Sequence, residues 1–311
     1  MQTVVTLIQM RPLTIFLLLA SLAACGGDSA EPVVNVESRV VSNERFSASP
    51  LVDAPDNQPV EAAFDVSSIT DVVLITGQSN TLGSETTFDP VLDQPVDNFY
   101  AYTDNGWAPA SLRQVWDLGS HPAKGLGDDP HNNFGFHFGK TIAAQRSDRV
   151  VGIILLSAPG EGISHWDADG FFFNKIRNKA ILALNDLPHK IAVDGILWHQ
   201  GETDWSQDGS NDPDLEDFPP NDYYSGKLWH LINNFRMESW FDADRPFICG
   251  ETARSPINTR LNALNRDSDN QTACVAGEGL PTYDEERVHF DAAGLRQLGA
   301  NYAEVYLQMT N

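Results

Sequence analysis

The chain has 311 residues, and its 20 Lys and Arg residues face 43 Asp and Glu residues, which gives a net charge of −23. A surface this acidic repels nucleic acid phosphates and anionic lipid headgroups, which argues against either as a partner. A neutral ligand would not be repelled.

The N-terminus has the features of an export signal. Arg11 precedes the apolar run 14–20, and Leu22-Ala23-Ala24-Cys25 follows it. The run is too short to span a bilayer. Leu-Ala-Ala-Cys resembles the lipobox of bacterial lipoproteins, which implies a signal peptide over 1–24 and acylation of Cys25; an ordinary signal peptide with a chance cysteine nearby is the alternative. We expect an exported lipoprotein on the periplasmic or cell-surface face of a membrane, with the outer membrane favoured and the lipid anchor as the only membrane contact.

Two regions follow the signal. Residues 25–62 are rich in Ser, Pro, Asp, Glu and Asn without a sustained period, which predicts a flexible tether. Residues 63–311 are long enough for one domain with a sizeable core.

Short apolar runs alternate with segments of helical spacing in this domain. The predicted strands are Asp71–Ile75, Val150–Leu156, Ile191–Trp198, Phe247–Cys249 and Thr272–Val275. The predicted helices are Asn133–Gln145, Phe171–Leu184, Tyr223–Phe235, Ile257–Leu264 and a last helix capped by Asp291. The alternation predicts an α/β fold with a parallel sheet of about five strands and helices on both faces.

Two stretches lack a clear period. Glu85–His131 is predicted to be a long irregular excursion that walls the pocket. Asp208–Asp222 is acidic but lacks the glycine of the regular calcium-loop spacing, so a solvated loop is favoured over a calcium site.

Small and polar residues follow each of the first three predicted strands. They are Gly77–Asn80, Ser157–Gly162 and His199–Asp204. Because ligands on parallel sheets bind beyond the carboxyl ends of the strands, these segments predict a site at one edge of the sheet.

Ser79 is the candidate nucleophile at that edge. It does not stand in the Gly-x-Ser-x-Gly elbow, since Thr81 occupies the second glycine position. His289, just before the last helix, is the candidate base, and Glu286 is spaced to orient its imidazole. His199 is predicted to be part of the pocket wall.

An acyl-transfer site also needs donors for the oxyanion. The candidates are the backbone amide of Ser79, a backbone amide in Gly160-Glu161-Gly162, and the side-chain amide of Gln200. The sequence has no His-Glu-x-x-His motif and no paired-cysteine spacing, so we predict no catalytic metal and no cofactor.

Four segments carry a resemblance to a known family: Gly77–Asn80, Gly160–Trp166, Trp198–Asp204 and Val288–Phe290. Together they closely resemble the sialate O-acetylesterase-like branch of the SGNH hydrolases, which includes the carbohydrate esterase family 6 acetylxylan esterases. The resemblance runs from about Asp71 to Tyr306. It implies a flavodoxin-like three-layer sandwich and a serine esterase that removes acetyl groups from sugars.

Carried over residue by residue, the resemblance makes Ser79 the nucleophile, His289 the base, and Gly160 and Gln200 oxyanion donors. The superfamily usually has Asp three residues before the histidine, where this chain has Glu286. Glu202 is therefore the alternative acid. The choice between Gly160 and Gly162 as donor also stays open.

The predicted function is removal of O-acetyl groups from acetylxylan, acetylated sialic acid or another acetylated glycan. Asn80, Trp166, His199 and Trp205 are predicted to bind this substrate, with the tryptophans stacking on sugar faces. Two alternatives remain: a surface lipoprotein that binds glycan without turning it over, and a lipid or aryl esterase on the same fold.

Cys249 and Cys274 lie in short apolar runs of an exported chain, where a disulfide can persist. The sequence predicts either a bridge between them or two buried thiols.

Overall fold

The computed structural model describes residues 65–83, 87–112, 132–168, 170–206, 220–253, 257–266, 270–283 and 288–311. The predicted signal peptide, the tether, Cys25 and Glu286 lie outside these residues, as do the side chain of Trp205 and most of the acidic stretch 208–222.

The described part of the chain contains a single sheet of seven strands. They are β1 (Asp71–Gly77), β2 (Phe99–Thr103), β3 (Gly106–Pro109), β4 (Val151–Ser157), β5 (Gly195–His199), β6 (Phe247–Gly250) and β7 (Thr272–Val275). Their order is β3-β2-β4-β1-β5-β6-β7, and every neighbouring pair is parallel except β2 and β3. The predicted α/β sandwich is confirmed, with seven strands rather than about five.

The two additional strands form a hairpin inside the stretch that we predicted to be irregular. Phe99 and Ala101 of β2 are buried, whereas Tyr100 and Tyr102 are only partly buried. This alternation is that of a strand with one face in the core and the other only partly covered, and it extends over only five residues. The hairpin turn passes through Gly106, whose φ is +91°.

Helices cover both faces of the sheet. They are α1 (Ser79–Leu82), α2 (Phe134–Gln145), α3 (Phe171–Asn185), α4 (Glu202–Ser206), α5 (Pro220–Arg236), α6 (Asn258–Leu261) and α7 (Ala292–Thr310). The long helices begin close to where the sequence places them. Asn133 caps α2 by accepting a hydrogen bond from the Phe136 amide, and Asp291 caps α7 through the Gly294 amide.

Alternate side chains of β1 enter two separate cores. Val72 and Leu74 pack with residues of α3 and α5, while Val73 and Ile75 pack with residues of α2 and α7. Every residue of β1, β4 and β5 is buried. The central strands are therefore covered on both sides, as their continuous apolar runs predict.

β5 is shorter at its start than predicted. Ile191 is 85% exposed, and the strand begins only at Gly195.

The two cysteines of the domain lie on the last two strands of the sheet. Cys249 of β6 and Cys274 of β7 are directly paired in register, and the structure joins them by a disulfide. No helix in the described ranges is long and apolar enough to cross a bilayer.

Candidate active site

Ser79 lies directly after the central strand, at the start of α1. The preceding residue, Gln78, donates its backbone N–H to the carbonyl of His199 at 3.0 Å and accepts a hydrogen bond from the Ser157 hydroxyl at 2.8 Å. These bonds tie the nucleophile segment to the ends of both neighbouring strands, β4 and β5. Ser79 itself is 8% exposed.

Gly77 allows this close approach. Its φ is +151°, and a Cβ atom there would lie 1.9 Å from the carbonyl oxygen of His199. Only glycine fits both the backbone conformation and the space. The glycine that ends the apolar run is therefore a steric requirement of the turn that presents Ser79.

The structure brings the predicted nucleophile and base together. The Oγ atom of Ser79 lies 2.9 Å from the Nε2 atom of His289, although the two residues are 210 positions apart. The Tyr283 ring stacks on the His289 ring with an interplanar angle of 10° and a centroid distance of 5.8 Å. A serine hydroxyl within hydrogen-bond distance of an imidazole is the arrangement that activates a serine for nucleophilic attack.

Of the two candidate acids, only Glu202 lies within the described residues, and Glu286 lies outside them. The Glu202 carboxylate accepts a hydrogen bond from the Asn80 side chain at 2.5 Å and lies 3.5 Å from Nε2 of His199. Its described contacts are thus with two buried side chains behind the site, and the choice of acid stays a prediction.

The surroundings of Glu202 lower the pKa of its carboxyl group. Burial alone would raise the pKa of its carboxyl group, but the hydrogen bonds and the charge interaction with His199 and the hydrogen bond from Asn80 outweigh burial and lower the pKa. A buried carboxylate therefore lies close to the nucleophile segment.

Of the predicted oxyanion donors, Gly160 lies beside the Ser79 segment, whereas the side-chain amide of Gln200 is bonded to other protein groups. Gly160 has a φ of +71° in the turn after β4, next to the Ser79 segment, because the Ala158 amide donates to the carbonyl of Gly77 at 2.8 Å. The donor roles of Ser79 and Gly160 stay predictions. The side-chain amide of Gln200, however, donates to the carbonyl of Glu161 and to the Asp204 carboxylate.

Both N–H groups of Gln200 are therefore taken up within the protein. In this arrangement the Gln200 side chain is buried and bonds to the 160–162 turn and to Asp204, and its role as an oxyanion donor stays a prediction. Sequence reasoning placed Gln200 at the correct edge of the sheet, but it could not show which way the amide points.

Asp204 is a site residue to which sequence reasoning assigned no role. Its two carboxylate oxygens accept from the Ile163 amide at 3.2 and 3.1 Å, and one also accepts from Gln200. Burial raises the pKa of Asp204 to about 6. Its place in the polar run after β5 is the only feature of the sequence that could have pointed to Asp204. Its hydrogen bonds hold the loop that follows β4.

Three of the predicted substrate-binding residues are buried. Asn80 and Trp166 are each 1% exposed and His199 is 0% exposed. Trp166 packs edge-on against Trp198 at 5.3 Å, and His199 contacts the hydroxyl of Tyr302 at 3.3 Å. Their burial argues against direct contact with a substrate, since residues at the edge of the sheet can still point into the core, and their binding roles stay predictions. Trp198 is likewise a core residue.

Two rings near the edge of the sheet were not singled out from the sequence. Tyr283, which stacks on the base, is 50% exposed. His165 follows the 160–162 turn, and its Nδ1 atom lies 2.5 Å from the buried Glu161 carboxylate. In the part of the chain that the structure describes, no group of His, Cys, Asp and Glu residues is arranged to hold a metal ion.

The fold and the site define an α/β protein with a serine–histidine pair at the carboxyl edge of a mainly parallel sheet. A family model described as "Carbohydrate esterase, sialic acid-specific acetylesterase" matches residues 69–308. The chain belongs to this family of ester hydrolases. The family resemblance read from the sequence motifs is thereby confirmed.

Solved structures share the fold. A protein from Arabidopsis thaliana superposes with a TM-score of 0.60 at 19% identity, covering 76% of this chain and 98% of that one. NanS superposes with a TM-score of 0.57 at 15% identity, covering 78% of this chain and 98% of its own. No match was found among curated proteins.

Proposed function

We propose that this protein is a carbohydrate O-acetylesterase in which Ser79 is the nucleophile and His289 the general base. The observation that carries the proposal is the 2.9 Å distance between Ser79 Oγ and His289 Nε2 at the edge of the sheet. The family supports the ester class and the carbohydrate substrate.

The reaction follows from the pair. Ser79 Oγ attacks the acetyl carbonyl carbon while His289 takes the hydroxyl proton, and the carbonyl oxygen becomes an oxyanion. The backbone amides of Ser79 and Gly160 are the proposed donors to that oxyanion. His289 then gives its proton to the departing sugar oxygen, and water attacks the acetyl-serine to release acetate.

The surroundings of Ser79 support a small acyl group. Ser79 is only 8% exposed, and this low exposure favours an acetyl group over a long acyl chain. Rates on p-nitrophenyl acetate and p-nitrophenyl octanoate test this point. We expect acetate to be cleaved faster; faster cleavage of octanoate would favour a lipid esterase.

Tyr283 supports a sugar as the leaving group. One face of its ring lies on His289, and the side chain is half exposed, so an apolar ring face is presented beside the base. Aromatic rings with one polar end suit such partly wet binding surfaces. We propose that Tyr283, rather than the buried Trp166, contacts the sugar ring.

Two substrates separate this contact from catalysis. Tyr283→Ala should raise KM for acetylated xylo-oligosaccharides and leave KM for ethyl acetate nearly unchanged. Ile191→Ala is the control, because Ile191 is also exposed but precedes β5 at the opposite edge of the sheet. Equal changes with both substrates would contradict the sugar contact.

The central test is acetate release by the parent and by Ser79→Ala. Acetylated xylan, acetylated sialic acid and acetylated peptidoglycan are the substrates to compare. We expect one of them to be deacetylated by the parent and none by the variant. A Ser79→Ala protein that releases acetate at the parent rate would refute the mechanism, and a parent that hydrolyses no activated acetate ester would favour glycan binding alone.

We also propose that the protein is exported and anchored through acylated Cys25. The support is the sequence of residues 11–25 alone. The mass of the N-terminal peptide tests it, since an unmodified thiol at Cys25 would exclude the anchor.

A further inference from the structure

The side chain of Asn80 is bonded to the backbone on both sides of the base. Its Nδ2 atom donates to the carbonyl of Val288 at 2.9 Å, and its Oδ1 atom accepts from the amide of Phe290 at 3.1 Å. Asn80 is also the residue next to the nucleophile. One side chain therefore links the segment that carries Ser79 to the loop that carries His289.

Glu202 completes this link. It accepts the other hydrogen of the Asn80 amide at 2.5 Å. Asn80 thus faces two acceptors with its nitrogen and one donor with its oxygen. A flipped amide would place oxygen against two acceptors and nitrogen against an N–H, so the three partners allow only one orientation.

The link is buried and has little freedom. Asn80 is 1% exposed and Glu202 is 7% exposed. Behind Glu202 lies the ring of His199, which is fully buried and contacts Phe134, Phe290 and Tyr302. Hydrogen bonds in such a setting rigidify the groups that they join.

We propose that Asn80 is a positioning residue that holds His289 at hydrogen-bond distance from Ser79, and that Glu202 acts on the base through Asn80. The inference rests on the proposed function and assigns the buried carboxylate a role distinct from that of an acid paired directly with the imidazole. Neither residue touches the substrate in this assignment.

The first test replaces Asn80 by Ala. Misplacement of a catalytic group by about 1 Å is typically worth about 10²-fold in rate, so kcat should fall by about that factor while KM stays within about threefold. The rate at which a fluorophosphonate labels Ser79 should fall in parallel, since labelling reports activation of the serine by the base.

Asn265→Ala is the matched control. The Asn265 side chain also donates to one backbone carbonyl and accepts from one backbone amide, both of Cys274, at the far edge of the sheet. Both variants lose an amide that bridges backbone groups, but only Asn80→Ala should lose kcat and serine labelling. Equal kcat values for the two variants and the parent would overturn the proposal.

The second test separates the two roles of Glu202. Glu202→Gln keeps an oxygen that can accept from Asn80, whereas Glu202→Ala does not. We expect the Gln variant to keep kcat within about tenfold of the parent and the Ala variant to fall to the level of Asn80→Ala. Loss of the orienting acid of a triad typically costs about 10⁴-fold, so a Gln variant reduced that far would overturn the indirect role.

The outcomes also separate this proposal from the proposed function. If Ser79→Ala is inactive while Asn80→Ala matches the parent, the esterase assignment stands and the link fails. If Ser79→Ala is fully active, the esterase mechanism itself fails, and the Asn80 result is then not needed to reach that conclusion.

Discussion

Gly77→Ala perturbs the turn that presents Ser79, the proposed nucleophile. The new Cβ would lie 1.9 Å from the carbonyl oxygen and 2.6 Å from the carbonyl carbon of His199, and 2.5 Å from the Thr81 hydroxyl. Since the His199 carbonyl belongs to β5, the neighbour of β1, the ends of the two strands must move apart. That movement breaks the hydrogen bond from the Gln78 amide to the same carbonyl.

The expected loss of stability in Gly77→Ala has two parts. Overpacking in a filled site costs about 1–3 kcal/mol, and a non-glycine residue held in an unfavourable backbone region costs about 1–3 kcal/mol more. The free energy of unfolding should therefore fall by about 2–6 kcal/mol, a large fraction of the roughly 5–15 kcal/mol of an ordinary domain. Activity should fall as well, because Ser79 moves with the turn.

Gly226→Ala is the control for the same chemical change. Gly226 is exposed within α5, and a Cβ there would meet no atom within 4 Å. Alanine in place of a helical glycine should raise stability by about 0.5–1 kcal/mol. Urea unfolding and p-nitrophenyl acetate hydrolysis measure both effects. A Gly77→Ala protein with parental stability and kcat would refute the steric argument.

Three further predictions concern buried groups. Burial lowers the pKa of His137 to about 3 from 6.5. Below about pH 6.5 the unfolded chain therefore binds a proton that the folded chain does not, and the free energy of unfolding falls as the pH falls. Urea unfolding should show a loss of about 2 kcal/mol from pH 7 to pH 5, and His137→Gln should remove most of this loss. Trp166→Ala should cost about 3–5 kcal/mol of stability, because Trp166 is a core residue, and a parental melting temperature would contradict that placement. Reduction of the Cys249–Cys274 disulfide, which closes a 25-residue separation, should lower stability by about 3 kcal/mol, measured by unfolding with and without reductant.

The fold was predictable where the sequence pattern is long or continuous. The all-buried runs of β1 and β4 and the capped, periodic helices α2 and α7 were each found within one or two residues. The hairpin was missed because β2 and β3 are short strands whose half-buried alternation is interrupted by polar turns. Patterns of four or five residues are too short to distinguish from irregular chain.

The contact between Ser79 and His289 was predictable because serine-esterase chemistry requires particular residue types at particular places. Ser79 follows the central strand, and His289 precedes the last helix. The direction of a side chain at the edge of the sheet was not predictable in the same way. His199 is the last residue of β5 and Asn80 the second of α1, and both point inward to partners more than 100 positions away in the chain.

The residues buried beneath Ser79 explain why this chain carries polar side chains at the ends of its apolar strands. Each of them bonds to the backbone of another segment: Ser157 to Gln78, Gln78 to the amides of Gly201 and Thr203, and Asn80 to the loop of His289. Apolar side chains would fill the same volume but could not satisfy those backbone groups, and each buried unpaired group costs about 1–3 kcal/mol. The polar layer therefore joins three strand ends and the base loop into one rigid unit. Under the proposed function, such a preorganised pair would need no rearrangement when the ester arrives, which is the condition under which the 2.9 Å contact between Ser79 and His289 would contribute to rate.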